Sequence, residues 1–372
     1  MQTVHFFVNF WTVLHLIWVL DCKNIDEDEM WMVGVNSYGS NRSSQSYPGY
    51  GSEWVYFPDG NGVPHFANLT LTDHDSLRVG KHVHIENRLY TRGSSDHINI
   101  NESAQSHVLP DIARLLSNKP VKLVTHGWLS SDGDNMMTGI IDAYSKHRDV
   151  VVISIDWSGT ASNINYPFVA MRVAEVGTRV AKFLDMFCAL YQITGDRLHL
   201  IGHSLGAHVM GIAASKTKLT VGRVTGLDPA RPLFEYPKTL KMGLTPSAAE
   251  FVDVIHTCGG TLGIDENGGH VDFYPNGGKS PQPGCDSKFF IFVPEPCSHS
   301  RAHKYFSESI ANPRGFPSCQ SKGWAEYLSS TACKETTVMG EDVDRNSRGQ
   351  YYLSTNAKAP FATNKPKALV VK

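Results

Sequence analysis

A serine flanked by two glycines, Gly202-His203-Ser204-Leu205-Gly206, stands where the apolar run "RLHLIGH" gives way to "AHVMGIAAS". A serine hydroxyl is a weak nucleophile until a base takes its proton, and the base needs an acid to fix its tautomer. Downstream acids in strand-like runs are Asp228, in "GLDPARPLF", and Asp253, in "FVDVIHT"; downstream histidines are His256, His270, His299 and His303. Asp253 has an apolar neighbour on each side, whereas Asp228 ends its run and precedes a proline, which makes Asp228 the better-placed acid. His256 prolongs an apolar strand and His270 opens "HVDFYPNGG", so both read as structural. His299 follows Cys297 in what reads as a loop before the helical "RAHKYFSESI", free to approach Ser204. An acyl-transfer site of this kind also needs two preorganised N–H groups for the oxyanion. Leu205, directly after the serine, is one candidate, and Trp128 in the turn "THGWLSS" is the other.

The chain has 32 glycines, so a bare G-x-S-x-G carries little weight by itself. Its surroundings add the weight: a buried strand before it and a helix after it describe a sharp turn that lifts the serine above a sheet. The short apolar runs "PVKLVTH", "DVVVISIDW", "RLHLIGH", "VGRVTGLD" and "EFVDVIHT" alternate with helical patterns such as "AMRVAEVGTRVAKFLDMFCALYQ". Near-continuous apolar strands between helices predict an α/β fold, with a mostly parallel central sheet covered by helices on both faces. "HVHIENRLYTR" alternates like a further strand, and "GQYYLSTNAKAPFA" reads as one more at the sheet edge. Residues 23–70, rich in Ser, Gly and Tyr, read as a flexible lead-in to a folded body at 71–364, and 365–372 as a tail.

The 372 residues are 41% hydrophobic and 19% charged, with a net charge of -2, enough to bury a large core. No basic stripe interleaved with aromatics is present, which argues against a nucleic-acid partner. The opening "MQTVHFFVNFWTVLHLIWVL" reads as a secretory signal peptide over 1–22, although no Lys or Arg precedes it and no A-x-A site ends it. A soluble, secreted, extracellular chain is the expectation. Of seven cysteines, Cys22 lies at the signal boundary, Cys188 reads as a buried thiol, and Cys258, Cys285, Cys297, Cys319 and Cys333 crowd the last third, as disulfides do in secreted chains. No C-x-x-C favours zinc. Sequons stand at Asn41, Asn68 and Asn101.

The motifs "HGW", "ISIDW", "IGHSLGAHVMG", "GLDPARPLF", "FVDVIHT", "GHVDFYPNGG", "QPGC" and "CSHSRA" occur in this order, and from about Trp54 to Ala362 the chain resembles the secreted pancreatic-lipase family, including insect lipases and phospholipases A1. The resemblance implies an α/β-hydrolase fold over 71–364, a triad of Ser204, Asp228 and His299, and an oxyanion hole of Trp128 and Leu205. Its substrate would be a lipid ester at a membrane, micelle or emulsion surface. Vertebrate lipases of the family continue into a C-terminal β-sandwich that docks a protein cofactor; this chain ends too early for one, so no colipase-type partner is expected. Their calcium acids precede the "VDVIHT" strand, where this chain has Thr245 and Ala248, so neither a metal nor another cofactor is expected. The expected disulfides are Cys285–Cys297, bounding the lid, and Cys319–Cys333; Cys258 has no obvious partner, with Cys188 and Cys22 as options. The lid loop "DSKFFIFVPEP" and the segment "TCGGTLGIDENGG" are short beside those of triacylglycerol lipases, which favours a phospholipase A1 releasing the sn-1 acyl chain. Phe289, Phe290, Ile291, Phe292 and Val293 would make the lid apolar. A triacylglycerol lipase or galactolipase is the alternative, and a yolk-protein-like lipid binder the non-enzymatic one.

Overall fold

The computed structural model describes residues 48–70, 83–93, 96–100, 108–286 and 293–364, with a backbone strand at 368–369. The expected signal peptide, Cys22, Asn41, Asn101 and residues Phe289–Phe292 of the expected lid lie outside them. In chain order the described strands are β1 (Trp54–Pro58), β2 (Pro64–Asn68), β3 (Glu86–Tyr90), β4 (His97–Asn99), β5 (Val121–Thr125), β6 (Val151–Asp156), β7 (Leu198–His203), β8 (Arg223–Leu227), β9 (Val252–Ile255), β10 (Val271–Pro275), β11 (Pro317–Gln320), β12 (Ala332–Cys333), β13 (Thr336–Val338), β14 (Gly349–Leu353) and β15 (Ala368–Leu369). The α-helices are α1 (Pro110–Leu116), α2 (Asn135–His147), α3 (Ser158–Ala161), α4 (Tyr166–Tyr191), α5 (Leu205–Lys216), α6 (Glu295–Ala311) and α7 (Trp324–Ser329).

One eleven-stranded sheet runs in the order β13-β11-β14-β10-β9-β8-β7-β5-β6-β3-β4. From β6 to β14 its neighbours are parallel, and antiparallel strands finish both edges. Every residue of β5 to β10 is buried, as a sheet covered on both faces requires. Alternate residues feed two cores. Leu123, Ile153 and Leu200 pack with α4 and α5, whereas Val124, Val152 and Ile201 pack with α2 and α6. The longest helix, α4, starts where the Asn165 side chain accepts a hydrogen bond from Phe168 N, and it stops at Gln192 in the left-handed conformation.

Two expectations are corrected. Residues 54–68 are not part of a flexible lead-in: β1 and β2 form an antiparallel hairpin whose inner face buries Val55, Phe57 and Ala67 in the core. Burial of those three alternating side chains outweighs the polar composition around them. The strand at 349–353 is not at the edge, because it pairs parallel to β10 on one side and antiparallel to β11 on the other. The short strands β11 and β13 continue the sheet beyond it, and the Cys319–Cys333 disulfide ties β11 to β12.

Candidate active site

β7 and β8 are neighbouring parallel strands, and His203 and Leu227, their last residues, are register partners. Ser204 and Asp228 therefore leave the sheet side by side at its carboxyl edge, where open α/β sheets place their ligands. Both take backbone conformations that ordinary side chains avoid: Ser204 has φ 56° and Asp228 has φ 45°. Such strain persists only where the surroundings enforce it. At Ser204 they do: a β-carbon on Gly202 would lie 2.1 Å from Gly206 O, and one on Gly206 would lie 2.5 Å from His126 O. The glycines let strand, turn and helix pack at backbone distance, and Leu205 opens α5 at the helix N-terminus.

Asp228 is fully buried. Its Oδ1 accepts hydrogen bonds from Thr257 N (2.7 Å) and Cys258 N (3.0 Å), and its Oδ2 takes one from His299 Nδ1 (2.5 Å). His299 does not stand in a loop, as its flanking cysteine and prolines suggested, but in the first turns of α6, with Pro296 at the helix start. Proline is well tolerated there because the first helical N–H groups have no partner inside the helix. The His299 carbonyl accepts from His203 Nε2 (3.2 Å) and Thr257 Oγ1 (3.4 Å), so backbone and ring are both fixed. The remaining ring nitrogen, Nε2, is buried without a hydrogen-bond partner among the described residues. Phe57 from β1 presents its ring edge-on to His299 at 5.5 Å.

The turn carrying Trp128 lies against Ser204: a β-carbon on Gly127 would come within 3.0 Å of Ser204 Cβ. Trp128 is locked by its own Nε1, which donates to Asn163 O (2.7 Å), and by edge contacts with Phe57 and Tyr166. Behind it, His126 stacks on Trp157 and bonds Asp156 (3.0 Å), while Arg88 pairs with Asp132. Burial works against the Asp156 charge, yet the His126 and Ser158 hydrogen bonds hold its carboxyl below the ordinary range.

The other candidates lie elsewhere. Asp253 is held bidentately by Arg223 (2.8 and 2.9 Å) and by Thr225 Oγ1 (2.9 Å). His256 pairs with Asp272, and His270 Nδ1 accepts from Val252 N. His303 is buried one turn along α6 from His299, its ring 5.2 Å from that of His203. Burial, with His299 and His303 nearby, pushes the His203 pKa well down; burial, with Lys304 and His299, lowers that of His303 to about 3. Phe57, Tyr166 and the His126–Asp156 pair were not singled out from sequence, because their part is to pack and brace.

Both expected disulfides, Cys285–Cys297 and Cys319–Cys333, are formed, while Cys188 and Cys258 are free and buried and so are not joined to each other. Asn68 ends β2 with its Oδ1 accepting from Thr70 N and Oγ1. The 245–250 segment offers the Thr245 and Ser247 hydroxyls, bonded to each other, and one carboxylate, Glu250. That set is too poor in hard oxygens for calcium, which takes six to eight or so.

Sequence comparison decides the family, since a profile described as Lipase matches residues 69–361. The chain belongs to the pancreatic-lipase family. The pancreatic triacylglycerol lipase of Myocastor coypus is 31% identical over 302 residues, covering 74% of this chain and 65% of that one. The Homo sapiens enzyme of that name is 32% identical, covering 66% and 58%. A Canis lupus familiaris relative named inactive pancreatic lipase-related protein 1 is 33% identical, also covering 66% and 58%. This lipase-family chain thus spans about three fifths of the length of these relatives, and membership alone does not separate active from inactive. Among solved structures, Est1E from Butyrivibrio proteoclasticus is 13% identical at a TM-score of 0.30, covering 46% of this chain and 74% of that one. The α/β-hydrolase architecture rests on the sheet order and the family match.

Proposed function

We propose that the protein hydrolyses carboxylic esters of lipids through Ser204, His299 and Asp228. The observation that carries this reading is the Asp228–His299 hydrogen bond, which leaves a buried, unpartnered Nε2 beside the strained serine turn. Asp228 holds the imidazole with Nδ1 protonated and Nε2 as the base. Nε2 takes the Ser204 hydroxyl proton as Oγ attacks the ester carbonyl, and the N–H groups of Trp128 and Leu205 receive the developing oxyanion. Collapse expels the alcohol, which leaves with the proton from Nε2. Water, deprotonated by the same nitrogen, then releases the acid from the acyl-serine.

The surface near the site suits a lipid. Trp54, Tyr56 and Phe66 cluster on the outer face of the hairpin, Phe66 being 54% exposed, and Ile164, beside the residue that anchors Trp128, is 82% exposed. Contiguous exposed apolar groups mark surfaces that meet apolar partners. Secretion into an oxidising compartment suits the two disulfides.

The finer reading is a phospholipase A1. The 257–269 segment, short beside that of triacylglycerol lipases, is pinned down with Gly263 N bonded to Cys258 O and Ile264 N to Pro229 O, which supports a site left open to a polar head group. A polar head group then stays hydrated, whereas under a long apolar cover it would lose hydrogen bonds to water. The names of the curated relatives favour the second reading, a triacylglycerol lipase. Purified protein should be given emulsified triacylglycerol and vesicles of phosphatidylcholine or phosphatidylserine, with products resolved by position. A 2-acyl lysophospholipid supports phospholipase A1; rapid triacylglycerol hydrolysis without lysophospholipid overturns it. Equal turnover by Ser204→Ala overturns the serine mechanism itself.

A further inference from the structure

A second histidine–carboxylate pair lies behind Asp228. His256 directly follows β9 and directly precedes Thr257 and Cys258, whose N–H groups hold Asp228 Oδ1. The His256 ring is fully buried and stacks on Tyr274, centroids 4.5 Å apart and planes at 5°. Its Nε2 lies 2.7 Å from Asp272 Oδ1 and its Nδ1 lies 3.1 Å from Ile264 O. A backbone carbonyl only accepts, and so does a carboxylate. For both contacts to be hydrogen bonds, both ring nitrogens must carry protons, which makes the pair an imidazolium and a carboxylate.

Asp272 also accepts Gly268 N at Oδ1 (2.9 Å) and Gly269 N at Oδ2 (3.3 Å). The pair therefore fastens the 257–269 segment at Ile264, Gly268 and Gly269. That segment runs so close to Asp228 that a β-carbon on Gly263 would lie 2.4 Å from its Oδ1. We propose that His256 and Asp272 are positioning residues for ester hydrolysis: the proton on His256 clamps the 257–269 segment against Asp228, and its loss at alkaline pH loosens the Asp228–His299 alignment. This rests on the assignment of Ser204, His299 and Asp228 as the reacting set.

The charges around the ring agree. Burial works against the imidazolium, but the hydrogen bond and charge of Asp272 from β10, and the charge of Asp228 after β8, raise its pKa above the ordinary value. Tyr274 stays neutral because burial, with Asp272 nearby, raises its phenol. In the turn after β10, a β-carbon on Gly278 would lie 3.3 Å from the His256 β-carbon, and the neighbouring Lys279 points outward to pair with exposed Asp265. Because the pKa is raised on folding, the stabilisation is complete below the unfolded value, about 6.5, and is lost as pH climbs through the folded one.

The test uses the full chain with two readouts. In Ser204→Ala protein, nitrogen-resolved NMR of histidine side chains, assigned with His256→Gln, should show one ring protonated at both nitrogens at neutral pH and titrating above 6.5. The His299 signals should move with that titration. A His256 ring with a single proton at pH 7 overturns the proposal, whatever the protein's activity. On a soluble short-chain ester, Asp272→Asn should move the alkaline limb of kcat to lower pH with little change in KM. His256→Gln should lower kcat roughly 10- to 100-fold and remove the pair's limb. An unmoved limb in a folded Asp272→Asn protein also overturns it. Should one variant not fold, the other and the NMR titration still decide. Absence of Ser204-dependent hydrolysis in the wild type would remove the hydrolase reading while leaving the NMR result intact.

Discussion

Gly263 lies against Asp228 so closely that the carboxylate occupies the space a β-carbon would need, 2.4 Å from Oδ1 and 2.6 Å from Oδ2. Any larger residue there must push the segment or the carboxylate away. Gly263→Ala should keep the fold, because one methyl group is added to a segment outside the strands, yet lower kcat roughly 100-fold by tilting His299. Circular dichroism with ester kinetics checks this; full activity would show that the segment yields without disturbing Asp228.

The two candidate acids should separate cleanly. Asp228→Asn should cost about four orders of magnitude in turnover, since an amide cannot fix the imidazole tautomer that the reaction needs. Asp253→Asn leaves Arg223 facing a neutral partner in a buried cluster that includes Glu341 and Lys122. Breaking a buried ion pair from one side costs about 3–5 kcal/mol. That variant should melt earlier but turn over normally while folded. Thermal melts run beside kcat at 25 °C distinguish the two outcomes.

Mild acid should destabilise the protein before its carboxylates titrate. His203, His208 and His303 are all depressed by burial, His208 to about 4 and His303 to about 3. A histidine depressed on folding stabilises fully above its unfolded pKa, about 6.5, and that contribution is lost as pH falls toward the folded value. Tm should therefore decline from about pH 6.5 downward. His208 is bonded to Ala230 O and Leu244 N rather than to Ser204, Asp228 or His299, so His208→Gln should shallow that slope without removing activity. A flat Tm between pH 7 and 5 would contradict the buried neutral rings.

Chelation should leave turnover unchanged. The 245–250 segment offers a single carboxylate, Glu250, with two hydroxyls, so dialysis against EDTA should preserve both kcat and Tm. Activity lost in EDTA and restored by calcium would place a metal where this set of ligands does not suggest one.

The serine turn and the choice of Asp228 over Asp253 were legible because they depend on local order: glycines two residues either side of Ser204, and an acid at the end of an apolar run rather than inside it. The placement of His299 was less so. Pro294, Pro296 and Cys297 suggest irregular chain, yet Pro296 stands in the opening positions of α6, where proline does not interrupt a helix. The hairpin at 54–68 was hidden because its inward residues number only a few in each strand and it follows a stretch rich in Ser, Gly and Tyr. What those residues pack against is remote in sequence. The 349–353 strand looked terminal for the same reason: β11 and β13 beyond it are too short to announce themselves.

Phe57 gives that hairpin a significance for where the working unit begins. A protein trimmed to start after Thr70 would retain Ser204, Asp228, His299, Trp128 and Leu205, together with the entire eleven-stranded sheet. It would lose the ring that packs against His299, Trp128 and Tyr166. The imidazole would then lose its cover on that side, and Trp128 one of its two aromatic contacts. The hairpin thus belongs to the working unit although it lies outside the eleven-stranded sheet.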